Sequence, residues 1–153
     1  MRVLVQRVLS AAVHVGDEEV GAIARGLLLF VGATHDDSLA EAQAMAAKAA
    51  NLRLFDDTSG VMNRSALDLL AAGEDVGLLV VSQFTLYADA RKGRRPSYVA
   101  AARPEQAAPL VEAVISHLRG LGLTVATGRF GAEMQVSLVN DGPVTIWLDT
   151  ADR

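Results

Sequence analysis

The sequence contains no cysteine, which excludes disulfides, a thiolate nucleophile and any cysteine-ligated zinc or iron–sulfur site. It also lacks the glycine-rich loops that cradle phosphates: neither GxGxxG nor a Walker loop occurs, so nucleotide-dependent chemistry is disfavoured. No GxSxG nucleophile elbow is present, and the run Val81-Ser82-Gln83 follows no such pattern, so a serine-hydrolase triad is not expected. The three histidines, His14, His35 and His117, have no metal-ligand spacing. The acidic pairs Glu18-Glu19, Asp36-Asp37 and Asp56-Asp57 sit in turn-like stretches, where carboxylates solvate a bend. No metal site and no cofactor are expected.

A strong excess of basic charge is missing as well. The net charge of −4 argues against a protein that coats nucleic acid by bulk electrostatics, which relies on many cationic phosphate contacts. A local contact stays open, because Arg91, Lys92, Arg94 and Arg95 cluster in RKGRRP, and a solvated loop is the alternative. The first residues, MRVLVQRVLSAAVHV, are interrupted by Arg2, Gln6 and Arg7 and lack the unbroken apolar run of a signal peptide or membrane span. A soluble, cytoplasmic protein without membrane contact is expected.

What remains is an ordinary globular composition, 51% hydrophobic and 21% charged over 153 residues. That length fits one domain, residues 1–153, able to bury about two thirds of the surface its unfolded chain exposes. Val3, Val5, Val13 and Val15 recur at period two before the turn residues Gly16-Asp17, predicting antiparallel strands. Leu27 to Val31 is a continuous apolar run, as in a strand covered on both faces. Ser38 with Glu41 is a capping-box signature, and Ala42, Met45, Ala46, Ala49 and Leu52 then repeat at helical spacing. Asp56 to Gly60 reads as a turn, and Val76 to Tyr87 as a strand.

Pro104 suits the start of a second helix with an apolar stripe of Leu110, Val111, Val114, Ile115 and Leu118. Pro109 would remove a hydrogen bond inside it, so the regular part is expected only from Pro109. Three strands follow, over Leu123 to Ala126, Met134 to Val139 and Val144 to Leu148. The pattern predicts an α+β domain with a largely antiparallel, barrel-like sheet and two main helices.

Two segments stand out. Ser82-Gln83-Phe84-Thr85-Leu86 ends a buried run with polar side chains, where a strand leaving the core is one reading and a ligand-facing edge another. Asn140-Asp141-Gly142-Pro143-Val144-Thr145 reads from its residues as a turn. Together with QRV at Gln6 to Val8, RKGRRPS, TGRF at Thr127 to Phe130 and MQVSLV at Met134 to Val139, they fall in the order and approximate spacing of the D-aminoacyl-tRNA deacylase family, which the chain resembles from end to end.

The resemblance implies hydrolysis of the ester of D-aminoacyl-tRNA with exclusion of L-aminoacyl-tRNA, and if that exclusion acts on the L side chain, glycyl-tRNA, which has none, is expected to be cleaved as well. It implies a homodimer in which Gly142-Pro143, joined by a cis peptide bond, reaches into the partner's site to meet the aminoacylated 3′ end of tRNA. The residues themselves do not give the cis state, since only about 5–6% of X–Pro bonds in folded proteins are cis. By the same resemblance Ser82, Gln83, Phe84 and Thr85 line the ester pocket, Arg7 supports the dipeptide, and Phe130 and Met134 pack around the terminal adenine. An enzyme that removes L-alanine from tRNA through a trans Gly-Pro is a rival, against which Arg7 and the full NDGPVT weigh. A non-catalytic module that binds an RNA end is another.

Overall fold

The computed structural model describes residues 1–152. Among these residues are eight strands and three α-helices: β1 (Arg2–Val15), β2 (Glu18–Ile23), β3 (Gly26–Gly32), α1 (Leu39–Asn51), β4 (Phe55–Asp56), β5 (Met62–Arg64), α2 (Ala66–Ala71), β6 (Gly77–Ser82), α3 (Pro104–Gly120), β7 (Thr124–Thr127) and β8 (Gln135–Asp149).

The sheet is organised by β1. One of its edges is shared, Arg2 to Val8 pairing with β3 and Ala11 to Val15 with β2, while its other edge carries β8. From β3 the sheet continues through β6 to β7. It then curls until β2 meets β7, where a Cβ on Gly21 would lie 2.3 Å from the Thr127 carbonyl oxygen. Only glycine permits that approach. The result is a nearly closed barrel with β8 outside it, paired to β1 alone.

The pairings of β1 are antiparallel as expected, whereas β3, β6 and β7 run parallel. The reason is connectivity. Parallel neighbours need long crossovers, and α1 with α2 and then α3 supply them. Leu27 to Val31 is covered on both faces, as its unbroken apolar run predicts. Leu27, Leu29 and Val31 join the core beneath α1 and α3, and Leu28 joins Val8, Val13, Leu79 and Val81 inside the barrel.

Helix α1 starts as its capping box requires, with the Ser38 N–H donating to the Glu41 carboxylate at 2.8 Å. Helix α3 differs from expectation by running unbroken from Pro104 through Pro109. Pro109 is exposed while Ala107 and Leu110 on either side are buried. Its missing N–H leaves only the Glu105 carbonyl, on the solvent face, without a helical partner. Helix α2 is an addition to the elements expected from periodicity; its six residues are too few to show a repeat, although Ser65 and Asp68 form a capping box there. The turn at 56–60 is present, with Asp57 Oδ1 accepting from the N–H groups of Ser59 and Val61 at 2.8 and 3.1 Å. These bonds, Val61 foremost, hold the Asp57 carboxyl below the usual range.

Candidate functional site

The strand expected over Val76 to Tyr87 ends at Ser82, and Phe84–Tyr87 form a 3-10 turn. Gln83 makes the change of direction. Its N–H still donates to the Val31 carbonyl at 2.7 Å, while its side-chain amide donates to the Thr85 hydroxyl. The N–H groups that open a helical turn have no carbonyl of that turn to meet; here they belong to Phe84 and Thr85.

Beside this turn lies a cavity of about 370 Å³. Ser82, Gln83 and Phe84 line one wall, Tyr98 and Ala102 another, and Phe130 closes it. Phe84 and Tyr98 meet edge to face, 5.1 Å between ring centroids. Both are unusually open for aromatics, 56% and 40% exposed, and so present a π-face at the rim. A smaller cavity shares Ser82 and Phe130 and adds Glu112 and Thr127. Thr85 is half-buried and lines neither cavity. Met134 also lines neither; its sulfur takes the Arg129 N–H at 3.4 Å and it packs on the barrel core. Phe130 and Met134 therefore do not share one wall.

The second half of the predicted site is elsewhere. Residues 140–145 do not separate two strands, because β8 runs through them as an excursion from the ladder. Thr145 pairs with Gln6 and Asn140 with Val8, leaving Asp141, Gly142, Pro143 and Val144 opposite Arg7 alone. Asn140 bridges the gap: its side-chain amide donates to the carbonyls of Arg7 at 2.9 Å and Val144 at 3.0 Å. The strongest turn formers in the sequence are thus absorbed into a bulge by one side chain that replaces the lost backbone bonds.

Gly142 has φ +116° and is followed by a cis peptide bond to Pro143. Both residues are exposed, and neither lines the cavity beside Phe84. Arg7, 8% exposed, lies beneath them. Its Nη1 donates to the Leu54 carbonyl at 2.6 Å and lies 3.4 Å from Asp56 Oδ1. Its Nε is 3.0 Å from Asp141 Oδ2, a charge contact without hydrogen-bond alignment. Arg7 thus ties the excursion to β4 through Asp141 rather than by bonding the Gly142 or Pro143 carbonyls.

Two residues outside the predicted set hold the cavity side. Tyr98 is one; its signal is an aromatic placed directly after a basic loop. Arg2 is the other. It donates from Nε to Asp149 at 2.8 Å and from Nη1 to the Leu86 carbonyl at 2.9 Å, with its guanidinium 4.4 Å from the Tyr87 ring centre and 5.4 Å from that of Trp147. It fastens the 3-10 turn to β8. Burial pushes the Tyr87 phenol well above its usual range, helped by Asp37 and Asp149, so that ring stays neutral.

A small, nearly closed α+β barrel thus carries an apolar, aromatic-rimmed cavity at the end of a parallel strand and an exposed Gly-Pro bulge on an outer strand. The family described as D-Tyr-tRNA(Tyr) deacylase matches residues 4–149, and the chain belongs to that family of hydrolases. It is 61% identical over 151 residues to the D-aminoacyl-tRNA deacylase of Roseiflexus sp. (strain RS-1), covering 99% of this chain and 94% of that one. It is 56% identical over 152 residues to the D-aminoacyl-tRNA deacylase of Thermomicrobium roseum, covering 99% and 96%. Among solved structures it is similar to the c-Myc DNA unwinding element binding protein, with TM-score 0.88, 39% identity and coverage of 98% and 99%. A probable eukaryotic D-amino acid tRNA deacylase, 16% identical with TM-score 0.82 and coverage of 96% and 97%, shares the fold. Among the described residues no helix is long and apolar enough to cross a membrane.

Proposed function

We propose that this chain hydrolyses the ester joining a D-amino acid to the terminal ribose of tRNA in the cytoplasm, spares L-aminoacyl-tRNA, and does so as a homodimer. The observation that carries this is the separation of the two halves of the site. The cavity is walled by Ser82, Gln83 and Phe84, while Gly142 and Pro143 are held outward by Arg7 and Asn140 and line no part of it. A second copy supplies the missing half. The edge of β8 away from β1 has no partner among the described strands, and Val139 and Trp147 on that strand are 52% and 45% exposed. Such an edge is a template for association.

The aminoacyl ester is already activated, so positioning and oxyanion stabilisation suffice. The N–H groups of Phe84 and Thr85 are the donors for the developing oxyanion. Thr85 is a poor nucleophile here, because its hydroxyl accepts from the Gln83 amide, and an amide NH₂ cannot take its proton. Water attacks instead, assisted by the ribose 2′-hydroxyl. The cavity accepts the terminal adenosine against Phe130.

Chirality is read by backbone. An apolar pocket distinguishes substrates by only about 1–3 kcal/mol per methylene, whereas thousandfold discrimination requires about 4 kcal/mol. The Gly142 and Pro143 carbonyls hold the α-amino group and leave no room for an L side chain, while a D side chain points outward. Glycine has no side chain to exclude, so glycyl-tRNA is cleaved as well.

The test is deacylation of matched D-tyrosyl-, L-tyrosyl- and glycyl-tRNA by the purified protein. D-tyrosyl- and glycyl-tRNA release their amino acids, and L-tyrosyl-tRNA does so at least about a thousandfold more slowly. Intact glycyl-tRNA alongside cleaved D-tyrosyl-tRNA would remove the exclusion mechanism. No release from any substrate would favour a module that only binds an RNA end.

A further inference from the structure

The segment joining the two walls of the cavity is a basic hairpin. Asp89 and Ser97 close its neck, each donating its N–H to the other's carbonyl at 2.8 and 2.9 Å. Residues 91–97 are all exposed. Gly93, at φ +72° with open space for 4 Å around the position a Cβ would take, makes the bend at the tip.

The four cations of this hairpin are not equivalent. Arg91 is held by its own neck: its Nε and Nη2 donate to the two oxygens of Asp89 at 2.8 and 2.7 Å, and its N–H to Oδ1 at 3.0 Å. Arg91, by side-chain then backbone donation, keeps the Asp89 carboxyl far below the usual range, so the pair is neutral as a unit. Lys92, Arg94 and Arg95 have no carboxylate within ion-pair distance among the described residues. Three uncompensated cations thus stand on one short loop of a chain whose net charge is −4.

Their position gives them a use. The loop leaves the cavity wall after the 3-10 turn of Phe84–Tyr87 and returns to it at Tyr98, whose ring packs on Phe84 at the rim. Stacking faces beside a cationic stripe are the arrangement that grips a nucleic-acid strand. The geometry points to Lys92, Arg94 and Arg95 as a phosphate clamp for the RNA strand that leads away from the terminal nucleotide in the cavity, with Arg91 engaged by Asp89 and so outside the clamp. This rests on the deacylase function proposed above for the choice of RNA, and not for the clamp itself. Because the phosphates are remote from the ester, the clamp holds substrate without taking part in the chemistry.

The experiment compares the full chain with Lys92→Gln/Arg94→Gln/Arg95→Gln and, separately, with Arg91→Gln. Affinity for uncharged tRNA is measured against salt concentration, alongside hydrolysis of D-tyrosyl-tRNA and of the small ester D-tyrosyl-adenosine. In the triple variant the slope of log K against log salt becomes shallower by about two, at roughly 0.7–0.9 per lost phosphate contact. KM for D-tyrosyl-tRNA rises at least about tenfold with kcat unchanged, and hydrolysis of the small ester is unaffected. Arg91→Gln leaves the slope as it was. An unchanged slope in the triple variant overturns the clamp, and so does an equal loss on the small ester, which would make the loop a support for the cavity. If neither ester is hydrolysed by the parent chain while the triple variant still flattens the slope, the hydrolase function fails and the clamp stands.

Discussion

A Cβ on Gly142 would sit 3.2 Å from Arg7 Nη2 and 2.8 Å from Val144 Cγ2. Gly142→Ala therefore meets a buried cation and a branched side chain, at a φ that L residues rarely adopt. The strain amounts to about 1–3 kcal/mol. Gly142 itself is exposed and only Val144 of the excursion packs against the core, so the variant keeps its circular dichroism spectrum with a lowered Tm. Displacement of the Gly142 and Pro143 carbonyls by even about 1 Å lowers deacylation on the order of a hundredfold. A fully active Gly142→Ala would remove the dipeptide from the mechanism.

Trans contribution is separable from cis by mixing two inactive variants. Gly142→Ala damages the dipeptide and Phe84→Ala the cavity wall. Equimolar co-refolding gives heterodimers in which one of two sites combines an intact Gly142 with an intact Phe84, and statistical assembly restores about a quarter of the parent activity. If both halves served their own chain, mixing would restore nothing.

Arg2 fastens the 3-10 turn from outside the cavity. Arg2→Met keeps some packing against Tyr87 and Trp147 but loses the bonds to Leu86 and Asp149. Single-turnover deacylation slows about tenfold, equivalent to about 1.4 kcal/mol, with the fold retained. Arg2→Lys recovers only part of this, since an ammonium cannot reproduce the two-sided fork. An unchanged single-turnover rate in Arg2→Met would show that the turn holds its shape alone.

The same pair sets an acid limit. Burial disfavours the Asp149 carboxylate, yet the Ala151 N–H and Arg2 outweigh it and hold the group below its usual range. A depressed folded pKa contributes stability that is full above the unfolded value of about 3.9 and is lost as pH falls through the folded one. The Tm difference between the parent and Asp149→Asn is thus steady near neutrality and shrinks below about pH 4. A difference that is constant with pH would assign the stabilisation to packing.

The barrel, both main helices and the α1 cap are legible in the sequence because period and capping are local. The parallel run of β3, β6 and β7 is not, since direction depends on which crossover covers which face. Ser82 to Leu86 misleads through the apolar run before it: strand-like composition persists up to Tyr87, although the Gln83 side chain turns the chain four residues earlier. Asn140 to Thr145 misleads oppositely. Its residues are those of a turn, and bonds from the Asn140 amide to residues 133 and 4 positions away, with the Arg7 contact to Asp141, keep it in a strand. The pairing of SQFTL with the Gly-Pro dipeptide comes from family resemblance, because no spacing rule connects a cavity to a bulge it does not touch.

The ladder between β1 and β8 has a kinetic side. Arg2 bonds Asp149 across 147 residues, among the longest separations the chain allows, and closing so large a loop comes before any contact rewards it. Strands β1, β3, β6 and β7 can pair and pack against the helices while β8 is still unattached. The strand that carries Gly142 and Pro143 is also made last, so under the mechanism proposed above a nascent chain can pair its barrel strands before the segment that reads chirality is attached.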